Sequence, residues 1–206
     1  FFMPRDVTAK MLQEHQSDRA FRQRAGGAPR KDVESGKIKI IEAGDGSVHP
    51  IESKYLSPEL HSPMEVDRPT VRVADLSRVV LLVREPMAKL KTKSPWVWRY
   101  LRYGMTALFP SSKSKAVPVP KRSTCAARDP WYDLTGLVRP GIAFWPMAQQ
   151  YRHIIPANTE RLVCNHNLFD LFPVRLSNLE AQSLLGVLNS TLVGLFKKFY
   201  GRFAGT

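Results

Sequence analysis

Acidic residues are scarce where basic ones crowd. Between Arg84 and Arg128 the sequence carries eleven Lys or Arg residues against a single carboxylate, Glu85. Such a stretch repels itself unless something neutralises it. Cysteine is nearly missing as well: Cys125 and Cys164 stand far apart without a second pair. That excludes a disulfide framework and suits reduced thiols in a cytoplasmic chain. No run approaches the roughly eighteen apolar residues needed to cross a bilayer, so a soluble chain without a membrane partner is expected. His15, His49, His61, His153 and His166 are scattered, and neither cysteine has a partner at zinc-ligand spacing, so no metal site is expected. The opening Phe1-Phe2-Met3-Pro4-Arg5 lacks an initiator methionine and a sustained apolar stretch. It reads as the start of a piece of something longer, without a secretory signal.

What is present supports packing. Of 206 residues 43% are hydrophobic and 10% aromatic, enough for one domain, or one domain with a loose appendage. The formal charge of +13 is unevenly spread. Residues 84–128 hold a net +10, from eleven cations and one carboxylate, while residues 40–83 are net −3, from four cations and seven acids.

The spacing predicts an α+β fold: a sheet-rich recognition domain over residues 37–206, preceded by a helical and linker segment over 1–36 that Gly26-Gly27-Ala28-Pro29 interrupts. Ile38, Ile40 and Ile41, then Gly44-Asp45-Gly46-Ser47, then Val48 and Ile51 read as a hairpin. Residues 55–60 read as a short helix broken by Pro58, and residues 78–83 as a core strand. Pro95 opens a helix through Leu101, and residues 110–123 read as a Ser/Lys/Pro loop. Further short strands are expected at 142–145, 154–155, 162–163 and 168–172. Ser177 with Glu180 is a capping box, and Leu184, Leu185, Leu188, Leu192, Leu195, Phe196 and Phe199 continue at helical spacing toward Gly201. One long amphipathic C-terminal helix packed on the sheet follows from that pattern.

Motifs for chemistry are sparse. Gly44-x-Gly46 lacks the third glycine and the helix of a nucleotide-binding loop, so a turn is the favoured reading. Asp45 with Glu52-x-Lys54 faintly resembles a metal-dependent nuclease core, though polar residues at an exposed strand edge have the same composition. Asn165-His166-Asn167 reads as a turn with local side-chain bonds. No serine, histidine and acid constellation stands out. The basic stretch differs, because it is interleaved with Trp96, Trp98, Tyr100, Tyr103, Trp131 and Tyr132. Such rings stack on bases or support phosphate-binding cations, and equally serve as core.

Several islands carry a resemblance. They are Glu52 with Tyr55-Leu56-Ser57-Pro58; Trp98 with Tyr100-Leu101; Arg128-Asp129-Pro130-Trp131-Tyr132-Asp133-Leu134; and Leu188-Asn189-Ser190-Thr191 followed by Tyr200-Gly201-Arg202. In this order the chain resembles the C-terminal target-recognition portion of bacterial DNA adenine-N6 methyltransferases of the restriction-modification type, over about three quarters of its length. The resemblance implies double-stranded DNA as partner, together with a catalytic methyltransferase domain or subunit that binds S-adenosylmethionine and holds a flipped adenine in an Asn-Pro-Pro-Tyr motif. That motif and a glycine-rich cofactor loop do not occur here, so no catalytic residue and no cofactor are expected in this chain. Residues expected to touch DNA are Arg99, Arg102, Lys113, Lys115, Lys121, Arg122, Arg128, Trp131, Tyr132, Arg152 and Asn165, through phosphates or base edges. Asn189 and Ser190 are expected to bond or pack within the last helix. Two other functions stay open: a metal-dependent nuclease on Asp45, Glu52 and Lys54, and an RNA-binding or assembly module.

Overall fold

The computed structural model describes residues 1–111, 114–147 and 153–200, with the backbone alone given for residues 110, 111, 114 and 115. The chain forms two compact units, Phe1–Ser57 with Ser77–Val138, and Pro58–Leu76 with Arg139–Thr206. The architecture is α+β.

The first unit begins with β1 (Arg5–Asp6), α1 (Thr8–Glu14), α2 (Asp18–Arg24) and α3 (Arg30–Glu34), then β2 (Ile38–Glu42) and β3 (Val48–Glu52). Strand β4 (Leu56–Leu60) starts here, and β5 (Arg78–Leu81) follows. Within this unit β3, β2, β1 and β5 pair in that order, each antiparallel to its neighbour. The β2–β3 hairpin forms as expected, with Ile38 opposite Glu52 and Glu42 opposite Val48. Gly46 sits at φ +83° in its turn, a conformation that costs glycine little.

Residues 1–36, expected as a helical and linker segment, hold three short helices. Met11, Phe21, Ala25, Ala28 and Val33 bury against Ile38 and Ile40 and form a core of their own. The helices are short because polar residues surround single anchors such as Phe21, and only tertiary packing stabilises so few turns. The same unit continues through α4 (Met87–Lys93), α5 (Pro95–Thr106), β6 (Leu108–Ser111), β7 (Ser114–Pro118) and α6 (Ser123–Ala126). Of residues 110–123, expected as a loop, Pro110 and Ser111 lie in β6 and Ser114–Pro118 form β7, and the two strands pair antiparallel with Phe109 opposite Val117. A second core in this unit gathers Ile41, Ile51, Val79, Leu81, Leu90, Val97, Tyr100, Leu101 and Tyr132.

In the second unit, the end of β4 pairs in parallel with β9 (Val163–Cys164), while β8 (Ala143–Pro146) and β10 (Leu168–Leu171) form an antiparallel ribbon. Residues 56–60 are thus strand rather than broken helix, since Pro58 takes extended backbone more readily than a helix interior. Ile154 and Ile155 carry no strand. Leu60, Val66, Val71, Phe144, Leu162 and Leu168 make the core of this unit. Asn158 ties it together, its amide bonding Gly141 O and Leu162 O and accepting from Leu162 N–H.

The expected single C-terminal helix is a pair, α7 (Asn178–Leu188) and α8 (Thr191–Tyr200), bent by 57°. Ser177 and Glu180 form the anticipated capping box at the start of α7. The break falls at Asn189, whose side chain bonds the N–H and carbonyl of Ile155 at 2.8 and 2.9 Å and also the Leu185 carbonyl. Ser190 Oγ then accepts from Val193 N–H. Gly194 sits against His153 and Lys197 lies over the Trp145 ring, so Leu192, Leu195, Phe196, Phe199 and Tyr200 face outward and are exposed. The proposed cap at Gly201 lies outside the described residues. Among those residues no single helix is long and apolar enough to cross a membrane, although α7 and α8 together reach that length and composition.

This burial separates two leucines of one type. Leu101→Ala, at a fully buried site, should lower unfolding free energy by about 2–5 kcal/mol. Leu192→Ala, at a site 63% exposed, should stay within about 0.5 kcal/mol of the parent. Urea denaturation of both variants measures the difference.

Candidate nucleic-acid interface

The basic stretch is built on two helices joined by one residue. Ser94 ends α4, donating its N–H to Leu90 O, and starts α5, accepting from Trp98 N–H. Its hydroxyl does not cap the helix. It is buried and lies 2.9 Å from the Tyr55 hydroxyl. The cap comes from Glu52 instead, whose two carboxylate oxygens accept from Trp96 N–H at 3.0 Å and Val97 N–H at 2.8 Å. A carboxylate there satisfies two amides that the helix leaves open and lies at the positive end of its dipole.

With α5 so anchored, Val97, Tyr100, Leu101 and Gly104 turn inward. Gly104 admits the Phe1 ring, which a Cβ would meet at 2.4 Å, and that ring stacks on Tyr100 at 4.5 Å. Burial pushes the Tyr100 phenol far above its ordinary range, and its hydroxyl donates to Phe1 O at 2.7 Å. The opposite face carries Arg99, Arg102, Met105 and Thr106, all exposed, and half-buried Trp98. On α4, Lys89, Lys91 and Lys93 are exposed.

Aromatic rings lie beside these cations. The Arg99 guanidinium sits 4.9 Å from the Trp96 centroid, and Arg102 and Lys91 sit 5.6 and 6.0 Å from that of Trp98. Each spacing is within the range of a cation–π contact. Among the described residues no ion pair engages any cation of α4 or α5, and neither Arg99 nor Arg102 makes a hydrogen bond. Lys121 is exposed as well.

The other anticipated contacts are placed differently. Arg122 donates to Phe109 O at 2.8 Å. Arg128 donates to Thr124 O at 2.7 Å and lies over the Phe2 ring. Tyr132 is buried, its hydroxyl donating to Glu85 O, and half-buried Trp131 packs against Phe1, Phe2 and Tyr132. These four make structural contacts within the first unit, and only Tyr132 is fully withdrawn from the surface. Asn165 belongs to the second unit and is buried; its amide donates to His61 Nδ1 and its carbonyl accepts from Asn167 N–H. That is the turn anticipated for Asn165-His166-Asn167. Lys113, Arg152 and the Lys115 side chain lie outside the described residues.

The residues weighed for nuclease chemistry are also occupied. Glu52 caps α5, and Lys54 lies over the Tyr55 ring at 4.7 Å. Asp45 joins a polar cluster that the sequence did not disclose. Ser47 Oγ lies 2.6 Å from Asp45 Oδ1, 2.8 Å from His49 Nε2 and 2.9 Å from the Tyr103 hydroxyl, which itself donates to Asp45. The carboxylate is the strongest acceptor of the three and accepts the hydrogen bond of the serine O–H. Asp45 therefore does not orient the imidazole as a catalytic triad requires. The cluster latches the β2–β3 turn onto α5. Burial holds the His49 pKa below its ordinary value, with Asp45 opposing. Among the described residues no group of three or more His, Cys, Asp or Glu is arranged to hold a metal ion. No protein-family model, curated protein or solved structure matches the chain.

Two outcomes follow from these contacts. Glu52→Ala leaves two amides of α5 open and should cost about 1–3 kcal/mol in urea unfolding. The folded state favours neutral His49, so the stability it contributes is present above its ordinary pKa of roughly 6.5 and is lost as pH falls through the lower folded value. Thermal melts should drop on acidification from neutrality toward pH ~5, and His49→Gln should flatten that decline.

Proposed function

We propose that this chain is the DNA target-recognition portion of an S-adenosylmethionine-dependent DNA adenine-N6 methyltransferase, or of a single-chain restriction-modification enzyme, acting in the cytoplasm. It positions duplex DNA for a catalytic domain or subunit and breaks no bond itself. One observation carries the reading: the cations of α4 and α5 are exposed and, among the described residues, without carboxylate partners, and Lys91, Arg99 and Arg102 lie beside Trp96 and Trp98. A surface of that kind gains free energy from phosphate by releasing condensed counterions. The free thiols Cys125 and Cys164 suit a reducing compartment. The Pro130-Trp131-Tyr132 and Asn189-Ser190 islands of the resemblance hold structural positions, the places where a recognition scaffold keeps its shape.

Fluorescence anisotropy with a labelled duplex tests the proposal. If about six cations meet phosphates, the logarithm of affinity should fall with the logarithm of salt at a slope of about −5. The triple variant Lys89→Ala, Lys91→Ala, Lys93→Ala should reduce that slope by about 3 and leave the melting temperature unchanged. Absence of duplex binding in dilute buffer, or stronger competition by single-stranded RNA, rejects the proposal.

A further inference from the structure

We infer that α5 is the groove-reading element of this surface: it enters the major groove of B-form DNA, with Arg99 and Arg102 addressing base edges and the lysines of α4 resting on phosphates. The inference rests on the DNA-recognition reading and adds which side chains carry sequence preference.

Three features of α5 favour this role over a purely phosphate-binding one. Its outward residues, Trp98, Arg99, Arg102, Met105 and Thr106, follow the spacing of one helical stripe, while Val97, Tyr100, Leu101 and Gly104 hold the other side in the core. Twelve residues make a rigid rod of roughly 18 Å, long enough to lie in a groove about 12 Å wide. The preceding helix α4 is joined through Ser94 alone and sets Lys91 over the Trp98 ring of this rod, and a first helix of this kind contacts the backbone in two-helix DNA readers.

The second feature is the state of the helix end. An open helix N-terminus is a ready anion site, but Glu52 already occupies this one. A phosphate brought there would meet a carboxylate. Contact is thereby moved to the middle of the helix, where Arg99 and Arg102 stand one turn apart.

The third feature is the condition of the two guanidinium groups. Arg122 and Arg128 spend donors on backbone carbonyls, whereas Arg99 and Arg102 lie over indole rings with their side-chain donors uncommitted among the described residues. Stacking limits the orientations of the planar fork and leaves its edge available, the form in which arginine meets the O6 and N7 acceptors of guanine. Met105, 44% exposed farther along the stripe, suits apolar contact with a thymine methyl. The deep, narrow major groove of A-form RNA would not admit the same rod.

Selection from a randomised duplex library, run with the full chain and single variants, tests the inference. The parent should enrich a motif containing guanine. Arg102→Ala and Arg102→Lys should both lose preference at one position and bind the selected duplex roughly 5- to 150-fold more weakly, because lysine keeps the charge but not the fork. Lys91→Ala should keep the motif and weaken all duplexes alike. Enrichment of the unchanged motif by Arg99 and Arg102 variants, or duplex binding by the parent without any enrichment, overturns the assignment to α5. No duplex binding by the parent overturns the recognition-domain reading itself, a separate result.

Discussion

The carboxylate of Glu52 sets the position of α5, and the presentation of the basic surface follows from it. Two hydrogen bonds from one side chain hold the first turn of α5 against the end of β3. Inward residues then meet the core shared with Ile41, Ile51 and Leu81, Trp98 and Tyr103 pack at its margin, and Arg99, Arg102, Met105 and Thr106 are left exposed. The hairpin turn adds a second attachment near the other end of the helix, through Asp45, Ser47 and Tyr103. A helix whose two charged residues are arginines is thus held by anionic groups at its back and at its head, while among the described residues no carboxylate pairs with those arginines. That separation permits a self-repelling stretch to sit in a folded domain.

Aromatic residues in the basic region divide between two roles, and burial makes the division. Tyr100 and Tyr132 are core side chains whose hydroxyls reach backbone carbonyls. Buried tyrosine commonly resolves its polar end this way. Trp96 and Trp98 keep part of their faces beside cations. The composition alone could not sort these rings, because all six lie within one interleaved run.

Much of the local structure was legible in the sequence. The β2–β3 hairpin, the core strand at 78–81, the Pro95 helix start and the Ser177 capping box all rest on short-range patterns, and short-range physics decides them. The departures came from partners distant in the chain. Glu52 lies more than forty residues from the amides it caps, and nothing near Pro95 announces it. Residues 1–36 read as a helix and a linker because the segment is polar, whereas single anchors such as Phe21 and Val33 bury completely or nearly so. The C-terminal helix divides because Asn189 turns its amide to Ile155, a contact that a continuous hydrophobic period conceals. Among the anticipated DNA contacts, Arg99, Arg102 and Lys121 stand exposed, whereas Arg122, Arg128, Tyr132 and Asn165 make hydrogen bonds to distant or local protein groups that neither residue type nor the resemblance discloses.

The outward row on α8 bears on how the polypeptide handles in a test tube. Phe196, Phe199 and Tyr200 are each more than half exposed, and aromatic side chains bring on the order of 150–250 Å² apiece. Sulfate and similar salts strengthen the attraction of such area for apolar matrices, even as they weaken the hold of the lysines on polyanions. Raising ionic strength therefore shifts the dominant adhesiveness of the molecule from its cationic helices to its last one, and a resin bearing phenyl groups should retain it under the same conditions that release it from heparin.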